Sequence, residues 1–186
     1  GMDGESIFIA SAPRTPQHEG KYLSAIADEL DLPLDDAIDK LLGDNSRTVT
    51  IVAFGMDEAD VRTVLRHEST MVGTDGLGWG SRPHPRHFGT YPRILQHYVR
   101  EEGVITLEAA IQKMTSMPAE QFRLTDRGYV QEGLAADLVV FDPAAIVDHA
   151  TFEDPRNAPS GMPHVIVNGA AVVRDGEHTH ARAGRA

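Results

Sequence analysis

The sequence predicts an α/β chain whose first two-thirds alternates strand and helix and whose last third is mostly β. Three observations lead there. Apolar runs, most of them rich in β-branched residues, fall at 6–11 (SIFIAS), 47–55 (RTVTIVAFG) and 70–75 (TMVGTD). Between and after them lie stretches whose apolar residues recur at helical spacing. Beyond Arg127-Gly128 the texture changes to short β-branched segments separated by glycine, asparagine and aspartate.

Taken in order, SIFIAS reads as a strand and APRTPQHEG as a polar loop. KYLSAIADEL places Leu23, Ile26, Ala27 and Leu30 on one helical face, Pro33 interrupts, and LDDAIDKLL resumes as a second helix. RTVTIVAFG reads as a buried strand ending in glycine. MDEADVRTVLRH follows as a helix, with Asp57 suited to its cap and acidic residues in its first turn. STMVGTDG reads as the next buried strand. YPRILQHYVREEG reads as a helix stopped by Gly103, and Thr106 as the N-cap of another, TLEAAIQKMTSMPAEQF. Asn168-Gly169, between VIV and AAVV, is a strong local signal for a two-residue hairpin.

Strand–helix alternation predicts parallel strands joined by crossover helices. Three such strands are too few for an eight-unit barrel, which takes roughly 250 residues. With 186 residues, the chain is expected to be either a small α/β domain or a part of something larger.

Composition narrows the partners. The chain is 41% hydrophobic and 24% charged, which suits a globular protein. Its net charge is -11 and its 17 basic residues are scattered, so neither nucleic acid nor an anionic membrane is an expected partner. No stretch approaches the roughly 20 apolar residues of a membrane span. Gly1-Met2-Asp3-Gly4 lacks the cationic start of a signal peptide, so a cytoplasmic location is expected. Without cysteine, any metal is held by His, Asp or Glu.

The stretch with the most chemistry is TMVGTDGLGWGSRPHPRHFGTYPR, residues 70–93. Asp75 sits just after an apolar run, between Gly73 and Gly76. Functional groups of parallel α/β folds gather at such strand ends, where a carboxylate can bind a metal or move a proton. Asp-Gly is equally a common turn pair. His84, Arg86 and His87 invite a metal or an anion, although H-P-R-H matches no closed zinc motif and solvated loop histidines explain it as well. Arg86 and Arg93 suit a carboxylate-bearing ligand or a structural ion pair. Ser11 and Arg14 follow the first strand and are weaker candidates. His178 and His180, near the end, are assigned no role.

MVGTDG, HPRHFGTYPR, KMTSMPAEQF, DRGYVQEGLAADLVVFDP and GMPHVIVNGAAVVRDGEHTHARAGR resemble, in order and spacing, the C-terminal portion of the N-acyl-D-amino-acid deacylases, or D-aminoacylases, of the amidohydrolase superfamily. EGKYLSAIADELDLPLDDAIDKLL and IVAFGMDEADV are similar to that family too. EGLAADLVVFD alone points only to amidohydrolases; the HPR and GTYPR elements after the aspartate narrow the resemblance.

The resemblance implies a partial (β/α) metal-dependent-hydrolase barrel, about its last three units, over residues 1–127. It implies a C-terminal β-rich segment of a small β-sandwich over 128–186. It implies zinc, held by an early His-X-His pair, a bridging cysteine or carboxylate and two later histidines. Asp75 is implied to be both the catalytic acid/base and a metal ligand. His84 and Arg86 are the candidates for binding an N-acyl-D-amino acid.

The sequence departs from the family where the metal is concerned. No His-X-His precedes Asp75, and the His178-Thr179-His180 pattern falls where the family has no ligand. Little hydrolysis is therefore expected of the chain alone. A homo-oligomer, or a partner chain carrying the rest of the barrel, is expected to cover its open strand edges. The alternative is a non-catalytic assembly or regulatory module derived from such an enzyme.

Overall fold

The computed structural model describes residues 3–78 and 80–185. Gly1 and Met2, part of the leader reading, lie outside the described residues, as does Trp79 of the 70–93 stretch. The contacts gather the chain into two compact units. One comprises Gly1–Asp57, Asp75–Phe88 and Ala150–Asn157; the other comprises Glu58–Thr74, Gly89–His149 and Ala158–Ala186.

In the first unit, β1 (Ile7–Ser11) is followed by a 3-10 turn at Pro16–His18, α1 (Leu23–Leu30), α2 (Leu34–Asp44) and β2 (Thr50–Ala53). β1 is apolar on both faces because both are covered. Ile9 packs with Ala12, Leu23, Ile26 and Leu41. Phe8 and Ala10, pointing the other way, pack with Val52 and with Phe152. α1 buries Leu23, Ile26 and Ala27, the spacing the sequence predicts. Pro33 stands at the N-cap of α2, where its missing N–H costs nothing. Asn45, fully buried, closes the end of α2 by donating to Leu41 O (2.9 Å) and Thr15 Oγ1 (2.7 Å) and accepting from Arg14 N (2.9 Å).

The strands depart from the expected parallel pairing: β1 and β2 run antiparallel, with Ile7 opposite Ala53 and Phe8 opposite Val52. β2 buries only Val52, so it is not the buried strand its composition suggests. The 70–75 stretch forms no ladder. Val72 N donates instead to Lys113 O, at 3.1 Å, near the end of a helix. A ladder needs a neighbouring extended segment in register, and local composition does not supply one.

The second unit opens with α3 (Glu58–Arg66). α4 (Arg86–Arg93) begins in the first unit and continues in the second as a π-helical stretch, Ile94–Glu101. Gly103, at φ +61, lets Val104 N reach back to Tyr98 O (2.7 Å), ending that helix as expected. α5 (Leu107–Met114) starts at Thr106, whose hydroxyl accepts from Ala109 N (3.2 Å). The single helix expected from 106 onward is broken at Thr115, and α6 (Ser116–Gln121) is separate. Leu65, Ile94, Leu95, Tyr98, Val104, Ala110 and Ile146 form this unit's core.

β3 (Leu138–Val140), β4 (His164–Val167), β5 (Ala170–Arg174) and β6 (Glu177–His178) make an antiparallel meander. Asn168 and Gly169 both take positive φ, +47 and +82, as the tight hairpin between β4 and β5 requires. Asp137 ties β3 to that hairpin by accepting from Asn168 N at 2.7 Å. Among the described residues no helix is long and apolar enough to cross a membrane.

Candidate functional site

The loop from Asp75 to Arg86 gathers the sequence-predicted residues. Asp75 adopts φ +43, a left-handed conformation that aspartate tolerates better than most residues. No turn is formed at Asp75-Gly76, and the carboxylate lies outside: the side chain is 82% exposed. Its Oδ2 accepts from Arg86 Nη2 at 2.6 Å. Gly76 is required here, because a Cβ would sit 2.8 Å from the backbone Cα of His87.

His84 caps the start of α4. Pro85 follows it, where a missing N–H is harmless, and Arg86 N donates to His84 Nδ1 at 3.0 Å. His87 N donates to His84 O at 3.1 Å. The His84 ring lies edge-on to Phe152, with centroids 5.1 Å apart. Burial holds the His84 pKa below the ordinary histidine value, the Arg86 charge lowers it further, and Asp75 opposes both. His84 is thus neutral near pH 7.

Three residues that the sequence reading did not single out hold the loop. Glu19 Oε1 accepts from Ala12 N (2.7 Å) and Ser11 Oγ (3.3 Å), and its other oxygen accepts from Ser81 Oγ. Arg82 N bonds Ala10 O (3.3 Å), and its guanidinium bonds Glu153 O (3.0 Å). Arg156 donates to Gly80 O at 2.9 Å, with its guanidinium 5.9 Å from the Phe88 ring centroid. Gly80, at φ +83, passes so close to β1 that a Cβ would meet Ser11 Cβ at 2.6 Å. The only local signal was the glycines, which mark close approach without naming the partner.

Glu19→Ala leaves the buried Ala12 N–H without its acceptor. It is expected to destabilise the fold by about 1–3 kcal/mol in urea unfolding. Ser11, offered as a candidate, spends its hydroxyl on Glu19, and Arg14 makes its bond through the backbone. Arg93, the other cationic candidate, closes α4 in the second unit.

Zinc fits poorly. Among the described residues there is no group of three or more His, Asp or Glu side chains placed to hold a metal ion. Asp75 faces a cation that it already pairs with. Elemental analysis of the dialysed chain is expected to find well under one zinc per chain; stoichiometric zinc would mean that copies combine their ligands. An apolar pocket of about 220 Å³ lies among Ile9, Leu23, Leu41 and neighbouring aliphatic residues. It offers no polar group to orient a substrate.

The profile of the amidohydrolase family matches residues 26–173. The chain belongs to the amidohydrolase family. Within it, the similarity is to the D-aminoacylases, as the sequence resemblance has it. The D-aminoacylase of Alcaligenes xylosoxydans xylosoxydans is 43% identical over 184 residues, 99% of this chain and 37% of that protein. A crystal structure of D-aminoacylase, described as defining a novel subset of amidohydrolases, superposes with a TM-score of 0.88 at 44% identity, over 96% of this chain and 37% of its own. The N-acyl-D-glutamate deacylase of Bordetella bronchiseptica, solved with zinc and a phosphonate mimic of the tetrahedral intermediate, gives 0.85 at 39% identity, over 90% and 34%. The chain thus spans about a third of the length of these relatives.

Proposed function

We propose that this chain is the C-terminal portion of a zinc-dependent amidohydrolase that cleaves the amide bond of N-acyl-D-amino acids, releasing a carboxylate and a free D-amino acid. The observation that carries the reading is the convergence of Asp75, His84 and Arg86 in one stapled loop, with Asp75 and Arg86 in direct contact. Asp75 is the acid/base group of this reading, since a carboxylate within reach of the reacting atoms can take up and return a proton. Arg86 suits a substrate carboxylate because its planar fork matches the two oxygens. His84 lies beside it.

Zinc belongs to this reading as the cofactor of the whole enzyme, its ligands drawn mainly from outside the described residues. Residues 1–127 would contribute barrel units and 128–186 the β-sandwich segment. A second reading, a non-catalytic assembly or regulatory module, draws support from large apolar residues at the surface, among them Val130 (89% exposed) and Phe122 (72%). Either reading calls for a covering partner, a second copy or a chain carrying the rest of the barrel.

A hybrid in which this chain replaces the matching segment of the Alcaligenes D-aminoacylase separates the two. On the catalytic reading the hybrid hydrolyses N-acetyl-D-amino acids and spares their L enantiomers. A hybrid that folds and holds the parent's zinc but hydrolyses neither would overturn it.

A further inference from the structure

We infer that Arg156 is a positioning residue: it holds the glycine-rich arm that carries Asp75, and so sets where that carboxylate stands against the bond to be broken. The inference rests on the acid/base reading of Asp75 and adds to it a residue 81 positions further along the chain.

The arm is soft by composition. Asp75 is followed by glycines at 76, 78 and 80. Residues 75–78 have neither helix nor strand, and glycine loses more backbone freedom on ordering than any other residue. The ion pair with Arg86 is exposed on both sides, so it restrains the arm weakly. Arg86 itself stands differently, because it begins α4 and the helix fixes its backbone. An acid/base group on such an arm needs a hold from outside, since a misplacement of roughly 1 Å costs about 10²-fold in rate.

Arg156 supplies that hold. Its Nη2 donates to Gly80 O at 2.9 Å, and Gly78 O lies 3.4 Å from the same nitrogen. The carbonyls on either side of residue 79 thus converge on one cation. The guanidinium carbon lies 5.9 Å from the Phe88 ring centroid, within cation–π range, and Phe88 belongs to α4. Arg156 therefore ties the arm to the helix that Arg86 begins. The backbone beside it is closed on itself: Asp154 N donates to Thr151 Oγ1 (3.0 Å), Thr151 N to Asp154 O (3.2 Å) and Asn157 Nδ2 to Asp154 O (3.1 Å). A further bond runs the opposite way, from Arg82 Nη1 to Glu153 O at 3.0 Å. The 150–157 segment and the 75–86 loop thus exchange arginine-to-carbonyl bonds in both directions. Arg156 is exposed, so replacing it opens no cavity in the core.

The test uses the full chain and the Alcaligenes hybrid. In the full chain, ¹⁵N relaxation is expected to give Gly78 and Gly80 backbone order parameters of about 0.85, falling below about 0.6 in Arg156→Gln while α4 keeps its values. In the hybrid, Arg156→Gln is expected to lower kcat for N-acetyl-D-amino acids roughly ten- to hundredfold and to leave KM nearly unchanged. Arg156→Lys keeps a charged donor for the two carbonyls and should recover most of the rate. In an Asp75→Asn background Arg156→Gln should cost almost nothing, because the group it positions is gone. Defects of Arg156→Gln and Asp75→Asn that multiply, a rise in KM alone, no recovery by lysine, or unchanged order parameters would each overturn the inference. A folded, zinc-loaded hybrid that hydrolyses nothing sinks the deacylase reading instead, and the order parameters alone then decide whether Arg156 holds the arm.

Discussion

Asp75→Asn is expected to lower the turnover of N-acetyl-D-amino acids by the Alcaligenes hybrid by about 10²–10⁴-fold, the usual worth of a positioned acid/base group. Asparagine makes this a clean substitution. It tolerates the left-handed φ of +43 as aspartate does, so the backbone stays unstrained. The side chain is 82% exposed, so no packing is lost. What disappears is the ability to take up and return a proton, together with the charge facing Arg86. Arg86→Gln separates those two losses. If Asp75 acts only by orienting Arg86, both variants should show the same defect and the double variant should add nothing. If Asp75 moves the proton, its variant lowers kcat. Arg86→Gln then mainly raises KM, by roughly tenfold or more for a lost charge-assisted bond. An Asp75→Asn hybrid that keeps its rate within about tenfold of the parent hybrid would remove Asp75 from the acid/base role.

What the sequence made legible was whatever depends on neighbours in the chain. The Leu23, Ile26, Ala27 face, the Thr106 cap and the Asn168-Gly169 hairpin are set by contacts a few residues apart, and the structure has all three. Pairing direction is a long-range property: β-branched runs at 6–11 and 47–54 announce strands but not that Phe8 faces Val52 in an antiparallel ladder. The 70–75 run misleads for the same reason, since a strand exists only with a partner. The site divides similarly. Asp75, His84 and Arg86 stand out as a rare polar cluster after an apolar run. The staples Glu19 and Arg156 lie 56 and 81 positions from Asp75 and carry no local mark. His84 was visible as a histidine, but the backbone N–H that its Nδ1 accepts from is brought to it only by the start of α4.

Lys113 shows how far such long-range effects can mislead, and its replacement is the second large effect expected. A lysine in an amphipathic helix reads as solvent-facing, yet here it is 5% exposed. Its Nζ donates to His67 O (2.5 Å), Thr70 O (2.9 Å) and Thr70 Oγ1 (3.2 Å). Its own carbonyl accepts from Val72 N. One residue thus fixes both ends of the 67–72 segment, which precedes Asp75 in the chain. Two effects oppose each other in Lys113→Met. Removing a buried ammonium relieves a desolvation cost, while three acceptors lose a charged donor, each such bond being worth about 1.5–3 kcal/mol. His67 lies in an exposed turn where water can replace part of the loss, so the net destabilisation is expected near the size of a single bond, about 2 kcal/mol. For a chain of this length that lowers Tm by roughly 4–8 °C. Lys113→Arg should recover part of it, since the guanidinium keeps the charge and its donors but fits the three acceptors less compactly. Faster amide exchange at residues 70–72 in Lys113→Met, beyond any increase in the core of α5, would mark the loss as local to this segment. Uniformly faster exchange would mean that Lys113 stabilises the unit as a whole and does not specifically hold the 67–72 segment.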